Sequence, residues 1–439
     1  MLRIILILSL IISGSALTQD FFSEDAKTSE SGTTPSGLSY ELNGFVRGAF
    51  FGGSALDSKE LEMKSGYGEL GLKMRIRKGK FGDGFAEIRF RRGSEFNQTV
   101  SEFNLREAYV NAYLGNLDFR LGHQIVVWGR ADGFNPTNNI TPQNVLARST
   151  DEDDRREGNF LVRTFYYCHP LRFEAIWVPQ YSPSVLPTQL FPFPEFVKLG
   201  GADNPDAKLK NGSIALKIDL ELNRFDGSVS FFQGYMPLPG IFVSSFDLTN
   251  FIATVVTKPY KMQVLGWDFS TTIGSFGLRG EMAYRDPVED YQSESNPHIP
   301  NPDIQYVIGM DKTRGDFSVI LQYIGHYVID FKKFQTTGSP LDELELKNRM
   351  ITSQSDEITH AFFARPSLTL FHEIMNVEIL KYYNFTTKEQ LFRPVISYDL
   401  SDAFTLMIGG EFYAGPENTL FGTIDESLSS VFAELKTSF

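Results

Sequence analysis

Apolar and polar side chains alternate along most of this chain, in segments of about ten residues that begin near Leu38. In residues 66–77, for example, Leu70 and Leu72 fall on one face of an extended chain, whereas Glu69 falls on the other. A period of two is typical of β-strands with one apolar face. Helical spacing is nearly absent, so the pattern predicts an all-β protein.

Eighteen such segments follow one another along the chain. A further alternating stretch, 250–257, is assigned to a hairpin within a loop, because counting it would put the two termini on opposite sides. Sixteen strands is the alternative count. The eighteen predicted strands lie near 39–50, 65–77, 84–92, 104–114, 117–128, 159–168, 171–179, 211–222, 226–235, 261–273, 276–285, 303–312, 316–330, 357–370, 374–384, 390–400, 404–413 and 428–439.

The connections between these segments alternate in length. Short turns are predicted at 78–83, 115–116, 169–170, 223–227, 274–275, 313–315, 371–373 and 401–403. Mostly longer, polar loops are predicted at 51–64, 93–103, 129–158, 180–210, 236–260, 286–302, 331–356 and 414–427, with 385–389 as a short exception. This alternation is typical of a transmembrane antiparallel up-and-down β-barrel of the bacterial outer membrane, with both termini periplasmic. The sheet must close, because lipid offers no hydrogen-bond partner to an unpaired strand edge.

Three short turns fix which residues face each other, and each register brings the apolar faces of its two strands together. The predicted cross-strand pairs are Ala112 with Phe119, Asn111 with Arg120, Trp267 with Met282, Ser270 with Arg279, Ile396 with Ile408, and Tyr398 with Leu406. A tight turn near Phe81 likewise predicts Arg75 opposite Glu87 and Lys73 opposite Arg89.

The N terminus predicts export from the cytoplasm. Arg3 precedes an apolar run at 4–12, and small residues at 14–16 complete a signal peptide that spans residues 1–16. Residues 17–37 are predicted to form a flexible periplasmic lead-in, so the barrel domain is 38–439. The apolar run is far shorter than the roughly 20 residues of a membrane-spanning helix, which excludes a helical membrane protein.

Composition and charge exclude further classes of protein. The chain of 439 residues is 42% hydrophobic and carries a net charge of −13, which argues against a phosphate-backbone binder, so no nucleic-acid partner is expected. The single cysteine, Cys168, excludes an intramolecular disulfide. The sequence has neither a His-Glu-x-x-His zinc motif nor a local Ser, His and Asp constellation, so no metal, cofactor or enzymatic activity is predicted.

The strand face opposite to the apolar one is heavily charged and is expected to line the lumen. The lumen and selectivity candidates are Lys73, Arg75, Arg77, Glu87, Arg89, Arg91, Glu107, Arg120, Arg279, Glu281 and Arg285. Two unit charges about 4 Å apart interact by about 4 kcal/mol at an effective dielectric constant of about 20, so a few such groups suffice to favour one sign of ion. We expect the Arg and Lys cluster to favour anionic or polar solutes. The alternative is that these residues pair with one another and fill the barrel.

Loop 129–158 is expected to fold into the bore and narrow it. The loop contains asparagines and prolines, followed by an acidic run at 151–154. Acidic side chains that face arginines of the wall would create a transverse field. The alternatives are a solvated surface loop and a calcium site in the acidic run. The constriction candidates are Arg130, Asp132, Asn135, Asn138, Asp151, Asp153 and Asp154.

Two patches of the sequence carry a family resemblance. The first is a tryptophan-glycine turn, Trp128-Gly129-Arg130-Ala131-Asp132-Gly133, which follows Leu121-Gly122-His123-Gln124 and precedes Asn135-Pro136 and Ile140-Thr141-Pro142. The second is Gly415-Pro416-Glu417 with Leu420-Phe421-Gly422, before the last strand. Both patches resemble a poorly characterised family of porin-like outer-membrane proteins of Gram-negative bacteria, which implies a channel or transport role. The layout is more distantly similar to alginate-export barrels and long-chain fatty-acid channels.

The C-terminal Phe439 follows an alternating apolar segment. This ending resembles the terminal-strand signature by which outer-membrane barrels are recognised for insertion, and it implies the barrel-assembly machinery and outer-membrane lipid as partners.

The sequence therefore predicts a porin-like outer-membrane channel for passive diffusion of small polar or anionic solutes. One alternative is a substrate-specific channel for a hydrophobic or polymeric solute, which the aromatic content of 14% favours. The other alternative is a structural or adhesive surface barrel, which the long polar loops favour.

Overall fold

The structure is a computed structural model that describes residues 38–54, 60–186, 193–291, 296–336, 338 and 342–439. The predicted signal peptide and the lead-in lie outside the described residues.

This part of the chain forms 21 strands and two α-helices. In chain order they are β1 (Leu38–Ser54), β2 (Leu61–Lys78), β3 (Gly82–Glu95), β4 (Gln98–Leu114), β5 (Leu117–Gln124), β6 (Asn159–Cys168), β7 (Leu171–Val178), β8 (Val197–Ala202), β9 (Ser213–Glu221), β10 (Phe225–Tyr235), β11 (Gly240–Asp247), β12 (Ile252–Lys258), β13 (Lys261–Ile273), β14 (Phe276–Pro287), β15 (Asp303–Arg314), β16 (Phe317–Val328), α1 (Asp342–Ile351), β17 (Ile358–Leu370), β18 (Met375–Asn384), β19 (Gln390–Ser401), β20 (Phe404–Ala414), α2 (Leu420–Leu428) and β21 (Ser430–Ser438). Neither helix of this described part is long and apolar enough to cross a bilayer.

Eighteen of these strands form one closed antiparallel barrel. Each barrel strand pairs with the next barrel strand along the chain, and β1 closes the sheet by pairing with both β2 and β21. The eighteen predicted strands are confirmed. The predicted hairpin in the loop before β13 is confirmed as β12, which pairs with β11. A third strand, β8, joins this small separate sheet in parallel and was not predicted.

Short turns collect at one end of the barrel and longer connections at the other. The short-turn end carries residues 79–81, 115–116, 169–170, 222–224, 274–275, 315–316, 371–374 and 402–403. The long-loop end carries 125–158, 179–212, 236–260, 288–302, 329–357 and 415–429, together with the short connections 96–97 and 385–389. Because β1 and β21 are antiparallel and paired, β1 begins and β21 ends at the short-turn end.

The predicted loop 93–103 is wrong. β3 and β4 continue to a two-residue turn at Phe96 and Asn97, which have positive φ values of 48° and 62°. Such values are required in the tight turns that match the twist of a hairpin. Polar residues at this end of the hairpin interrupt the alternation of apolar and polar positions, so the sequence predicts a loop there. The backbone pairing of β3 with β4 nevertheless continues through them.

The three predicted hairpin registers are confirmed. Ala112 faces Phe119 and Asn111 faces Arg120 in β4 and β5. The other two hairpins show the predicted pairs Trp267 with Met282, Ser270 with Arg279, Ile396 with Ile408, and Tyr398 with Leu406.

The predicted register of β2 against β3 is wrong by two residues. Lys73 faces Glu87, and Arg75 faces Phe85, whereas the prediction placed Arg75 opposite Glu87. The turn is centred on Lys80, one residue before the expected centre, and it begins with Gly79 at a φ of +64°. A shift of two residues keeps every side chain on its predicted face, since the period of a strand is two.

Apolar side chains point out of the barrel and polar ones point in. On β1, Val46 and Phe50 are 46% and 48% exposed, whereas Arg47 between them is 2% exposed. The same alternation recurs on the other barrel strands. The outer wall is therefore apolar, as a lipid-facing surface must be, and the charge is held inside.

Candidate functional site

Residues 125–158, here called the inner loop, leave the barrel wall at β5 and return to it at β6. Gln124 and Asn159, which flank the loop, are paired in the β5–β6 hairpin, so the loop starts and ends at one point of the wall. Its partners are inward-facing side chains on strands all around the barrel. The inner loop therefore lies in the lumen.

The first part of the inner loop is bound by Glu281 of β14. The Glu281 carboxylate accepts hydrogen bonds from the backbone N–H groups of Arg130 (3.1 Å), Ala131 (3.3 Å) and Thr137 (2.8 Å), and from the Thr137 hydroxyl (2.7 Å). Gly129 has a φ of +99°, and a Cβ atom there would lie 2.4 Å from the carboxylate. Only glycine allows this close approach, which explains the tryptophan-glycine turn of the sequence.

Charged side chains extend this attachment. Arg130 reaches two carboxylates of the wall, Asp268 at 2.6 Å and Asp219 at 3.3 Å. Asp132 forms an ion pair with Arg279 at 2.8 Å. The predicted candidates in this turn therefore hold the loop across the lumen.

An apolar cluster supports the same part of the loop. Val126, Trp128 and Ile140 are buried together with wall residues such as Leu161 and Ile176. Strand β5 was predicted to run through residue 128, but it ends at 124 because the chain turns inward there to bury these side chains.

The second part of the inner loop is bound to β1, β2 and β3 through Asp154. Its carboxylate lies 2.7 Å from Arg47 and 2.5 Å from Arg89. Arg47 also contacts Glu69 at 2.7 Å and Glu434 at 3.6 Å. Burial alone would raise the pKa of Asp154, but the charges of Arg47 and then Arg89 outweigh it and hold this pKa well below its ordinary value.

The opposite side of this part contacts β19 and β20. Arg155 forms an ion pair with Glu411 at 2.8 Å. Arg393 contacts Glu152 at 3.3 Å and donates to the carbonyl oxygen of Thr150. The inner loop is thus attached on several sides of the barrel.

The remaining acidic and amide candidates make local contacts. Asp151 accepts a hydrogen bond from the Asp153 N–H at the start of a short 3₁₀ turn, Glu152–Arg155. Asp153 pairs with Arg156 at 2.5 Å, and Asn138 donates its N–H to the Asn135 carbonyl oxygen. Within the described ranges, no group of three or more His, Cys, Asp or Glu side chains could hold a metal ion.

The predicted lumen residues do face inward, but most of the cations contact carboxylates or aromatic rings. Arg89 pairs with Glu87 at 2.7 Å, and Arg91 pairs with Glu69 at 2.5 Å. The other contacts are Lys73 with Glu87 (3.7 Å), Arg285 with Asp303 (2.5 Å), Arg75 over the Phe85 ring (5.6 Å), Arg120 with the Asn111 side-chain oxygen (2.7 Å) and Glu107 with the Ile125 N–H (2.8 Å). Arg77 is exposed near the short-turn end, opposite Asp83. His326 binds the buried Asp303 at 3.0 Å.

A cavity of about 1920 Å³ remains between the inner loop and the wall from β14 to β21. Its lining includes His372 and Asp402 at the short-turn end, and Ser184 and Leu238 at the long-loop end. The cavity therefore extends along the barrel from one end to the other.

The cavity lining is mixed in charge. Its described carboxylates number eleven and its cations eight. The carboxylates belong to Asp132, Asp151, Glu152, Asp153, Asp311, Glu373, Glu378, Asp399, Asp402, Glu411 and Glu434, and the cations to Arg130, Arg155, Arg156, Arg279, Arg285, Arg365, Arg393 and Lys436.

Most predicted loop residues line this cavity, whereas most predicted wall residues do not. The predicted candidates in the lining are Arg130, Asp132, Asn135, Asn138, Asp151, Asp153, Arg279 and Arg285. The basic residues of β2 to β5 lie on the other side of the inner loop. An apolar strip that the sequence analysis missed also lines the cavity, with Ile324, Phe363, Leu380 and Leu391. The sequence does contain a signal for their inward position, because each of them is an apolar residue on the otherwise polar face of its strand in β16 to β19.

Lowering the pH is expected to weaken any preference of the cavity for cations. Burial raises the pKa of both Asp132 and Asp153, so these carboxylates take up protons at a higher pH than exposed aspartates do. Asp154 stays ionised, so the loop keeps its position. Reversal potentials in a salt gradient measure the effect, and a double variant with Asp132→Asn and Asp153→Asn is expected to lose most of the pH response. An equal response in the variant would contradict this assignment.

Comparison with known proteins supports the fold. A family model described as "Protein of unknown function (DUF1302)" matches residues 20–152. OccAB4 of Acinetobacter baumannii is 10% identical over 92% of this chain and 99% of its own, with a TM-score of 0.54. A BenF-like porin from Pseudomonas fluorescens Pf-5 is 9% identical over 91% of this chain and 98% of its own, also at 0.54.

The outer membrane protein opdK of Pseudomonas aeruginosa is similar to the same degree, with 8% identity, coverage of 91% and 98%, and a TM-score of 0.54. Among curated proteins, no sequence matches this chain. The chain thus has the 18-stranded barrel fold of outer-membrane porins, which confirms the predicted porin-like barrel at the level of the fold.

Proposed function

We propose that this protein is a passive channel in the bacterial outer membrane, through which small polar solutes pass down their gradient. The cavity between the inner loop and β14 to β21 carries the proposal, because it connects the two ends of a closed barrel whose outer face is apolar. Barrels of 16 to 18 strands are wide enough to leave an aqueous channel. Passage of this kind needs no catalytic group.

The proposed orientation follows from the two ends. The short-turn end, with both ends of the barrel sheet, faces the periplasm, and the long-loop end faces outward. Residues 1–16 direct export, residues 17–37 form the lead-in, and Phe439 is the assembly signal. Phe439 exchanges backbone hydrogen bonds with Gly44 of β1 at the seam where the barrel closes, a position consistent with that role.

The charge of the lining argues against a preference for anions. Of the predicted basic residues of β2 to β5, Lys73, Arg89 and Arg91 pair with carboxylates. None of the predicted basic residues of these strands lines the cavity, whose described carboxylates outnumber its cations by eleven to eight. We therefore propose a weak preference for cations, with the inner loop as the constriction.

Planar-bilayer recording tests the function. Purified protein is expected to give ohmic single channels, with a reversal potential in a potassium chloride gradient that indicates weak cation preference. Strong anion selectivity would overturn the proposed charge preference, and a complete absence of conductance would favour a structural or adhesive barrel instead.

A second candidate function is a substrate-specific channel for a hydrophobic or polymeric solute. The apolar strip with Phe363, Leu380 and Leu391 favours it, because such a strip offers a surface on which an apolar chain or ring can slide. Saturable block of the current by one solute of this type would support the second candidate, whereas current that is unaffected by a panel of such solutes supports simple diffusion.

A further inference from the structure

Four cations form an exposed group at the short-turn end of the barrel, here called the basic patch. Arg75 and Arg77 point inward from β2, Lys78 ends this strand, and Lys80 lies in the turn to β3. Three residues of a strand span about 10 Å, so the four charges lie close together. None of the four lines the main cavity, so the basic patch is distinct from the proposed path of the solute.

The basic patch has no ion-pair partner among the residues that the structure describes. The preceding cation of β2, Lys73, pairs with Glu87 at 3.7 Å, whereas no described carboxylate forms an ion pair with any of the four. The charge of Arg75 lies over the Phe85 ring at 5.6 Å, which leaves it without a counter-charge. The positive charge of the patch is therefore available to a partner.

Two carboxylates face the basic patch from the neighbouring strands. Glu41 of β1 lies opposite Arg75, and Asp83 of β3 lies opposite Arg77. Asp83 is 5% exposed and accepts a hydrogen bond from the Tyr113 hydroxyl at 2.6 Å, so it is directed toward β4. Four cations thus face two carboxylates, and the patch keeps a surplus of positive charge.

The part of the chain that leads into β1 carries the opposite charge. Within residues 20–30, here called the acidic segment, four carboxylates accompany one cation. These charged residues are Asp20, Glu24, Asp25, Lys27 and Glu30. The acidic segment lies outside the described residues, but the chain continues from it to Leu38, which faces Lys78 of the basic patch.

The connection to β1 is long enough for contact with the basic patch. Glu30 stands eight residues before Leu38, and eight extended residues span up to about 26 Å. The patch begins beside Leu38, so its cations lie within this reach. Because the two partners belong to one chain, their effective concentration is on the order of millimolar, which favours a contact that separate molecules would make only weakly.

We propose that the acidic segment docks on the basic patch and covers this part of the barrel rim. A single pair of exposed charges contributes little, but several pairs act together here and the connection to β1 keeps them close. The docking requires only that the acidic segment remains attached to β1, so it can fail while the proposed channel function stands.

Carbodiimide cross-linking of the purified full-length protein in detergent tests this proposal. The reagent joins a carboxylate to a lysine amine as an amide, with loss of water, where the two groups touch. In low salt we expect amide links from Glu24, Asp25 or Glu30 to Lys78 or Lys80, located by digestion and mass spectrometry. In 1 M salt the Debye length falls to about 3 Å, so these links are expected to be lost.

A double variant with Arg75→Gln and Arg77→Gln keeps both reactive lysines. It is expected to lower the yield of the links about threefold or more, because it removes half of the cations that hold the segment. The matched control is a double variant with Arg224→Gln and Arg314→Gln. These two arginines are also exposed at the short-turn end but lie beside β10 and on β15, so their replacement should leave the yield unchanged.

Four results would overturn the proposal. The first is the absence of links in low salt, and the second is an undiminished yield in the double variant of the basic patch. The third is a set of links confined to a dimer band on a denaturing gel, which would place the acidic segment of a second copy there. The fourth is loss of the links in phosphatidylglycerol vesicles, which would assign the basic patch to lipid phosphates.

Discussion

Replacement of residues 125–158 by a two-residue Asn-Gly turn is expected to raise the single-channel conductance severalfold. The inner loop fills much of the lumen, and Gln124 and Asn159 already face each other in the β5–β6 hairpin, so a short turn can join them without moving the wall. The wall residues that now contact the loop would face water in an open bore. Planar-bilayer recording of the purified variant measures the change.

The control for this experiment removes chain that lies outside the cavity. Shortening of the β11–β12 hairpin within residues 247–251 is expected to leave the conductance unchanged, because none of these residues lines the main cavity. A variant without the inner loop that conducts like the unmodified protein would show that the loop does not limit the flow.

The second large effect is expected from Arg47→Met. Arg47 is 2% exposed and is shared by the carboxylates of Glu69, Asp154 and Glu434. Its removal leaves three buried negative charges close together, and breaking a buried ion pair in this way costs about 3–5 kcal/mol. Urea titration of the refolded barrel, followed by tryptophan fluorescence, measures the free energy of unfolding.

Arg75→Met is the matched control, because Arg75 also points inward but its charge lies over the Phe85 ring at 5.6 Å. Loss of this contact is expected to cost about 1 kcal/mol or less. Equal losses of stability in the two variants would contradict the role given to Arg47.

The contact between Arg47 and Asp154 is expected to persist at acidic pH. The pKa of Asp154 is lower in the folded barrel than in the unfolded chain. The stability that Asp154 contributes is therefore present above its unfolded pKa, and it is lost only as the pH falls through the folded pKa.

The barrel itself could be predicted from the sequence because its physical cause is local. Each strand needs an apolar side chain at every second position, and each short turn fixes a register, so pairs such as Trp267 with Met282 follow from a few adjacent residues. The same argument failed at Lys80, where the turn has a different centre, and at Phe96, where polar residues hide the continuing hairpin.

The inner loop could be predicted only in part. Its length and its acidic run indicate a segment that enters the bore, but its partners depend on which strands stand across the lumen. Glu281 binds Thr137 over 144 positions of sequence, and Arg155 binds Glu411 over 256. No local pattern encodes these pairs. For the same reason the sequence did not show that the loop separates the basic residues of β2 to β5 from the open cavity.

The central claim is that ions pass along the cavity between the inner loop and the wall. Chemical modification of a single cysteine placed in the cavity wall tests this claim most directly. Ser397 of β19 lines the cavity, whereas its neighbour Ile396 is 43% exposed on the outer face. Ser397→Cys and Ile396→Cys are each made with Cys168→Ser, which removes the native thiol. A charged methanethiosulfonate reagent added during single-channel recording is predicted to reduce the current through the Ser397→Cys channel in a discrete step and to leave the Ile396→Cys channel unchanged. An unaltered current in the Ser397→Cys channel would contradict conduction along this cavity.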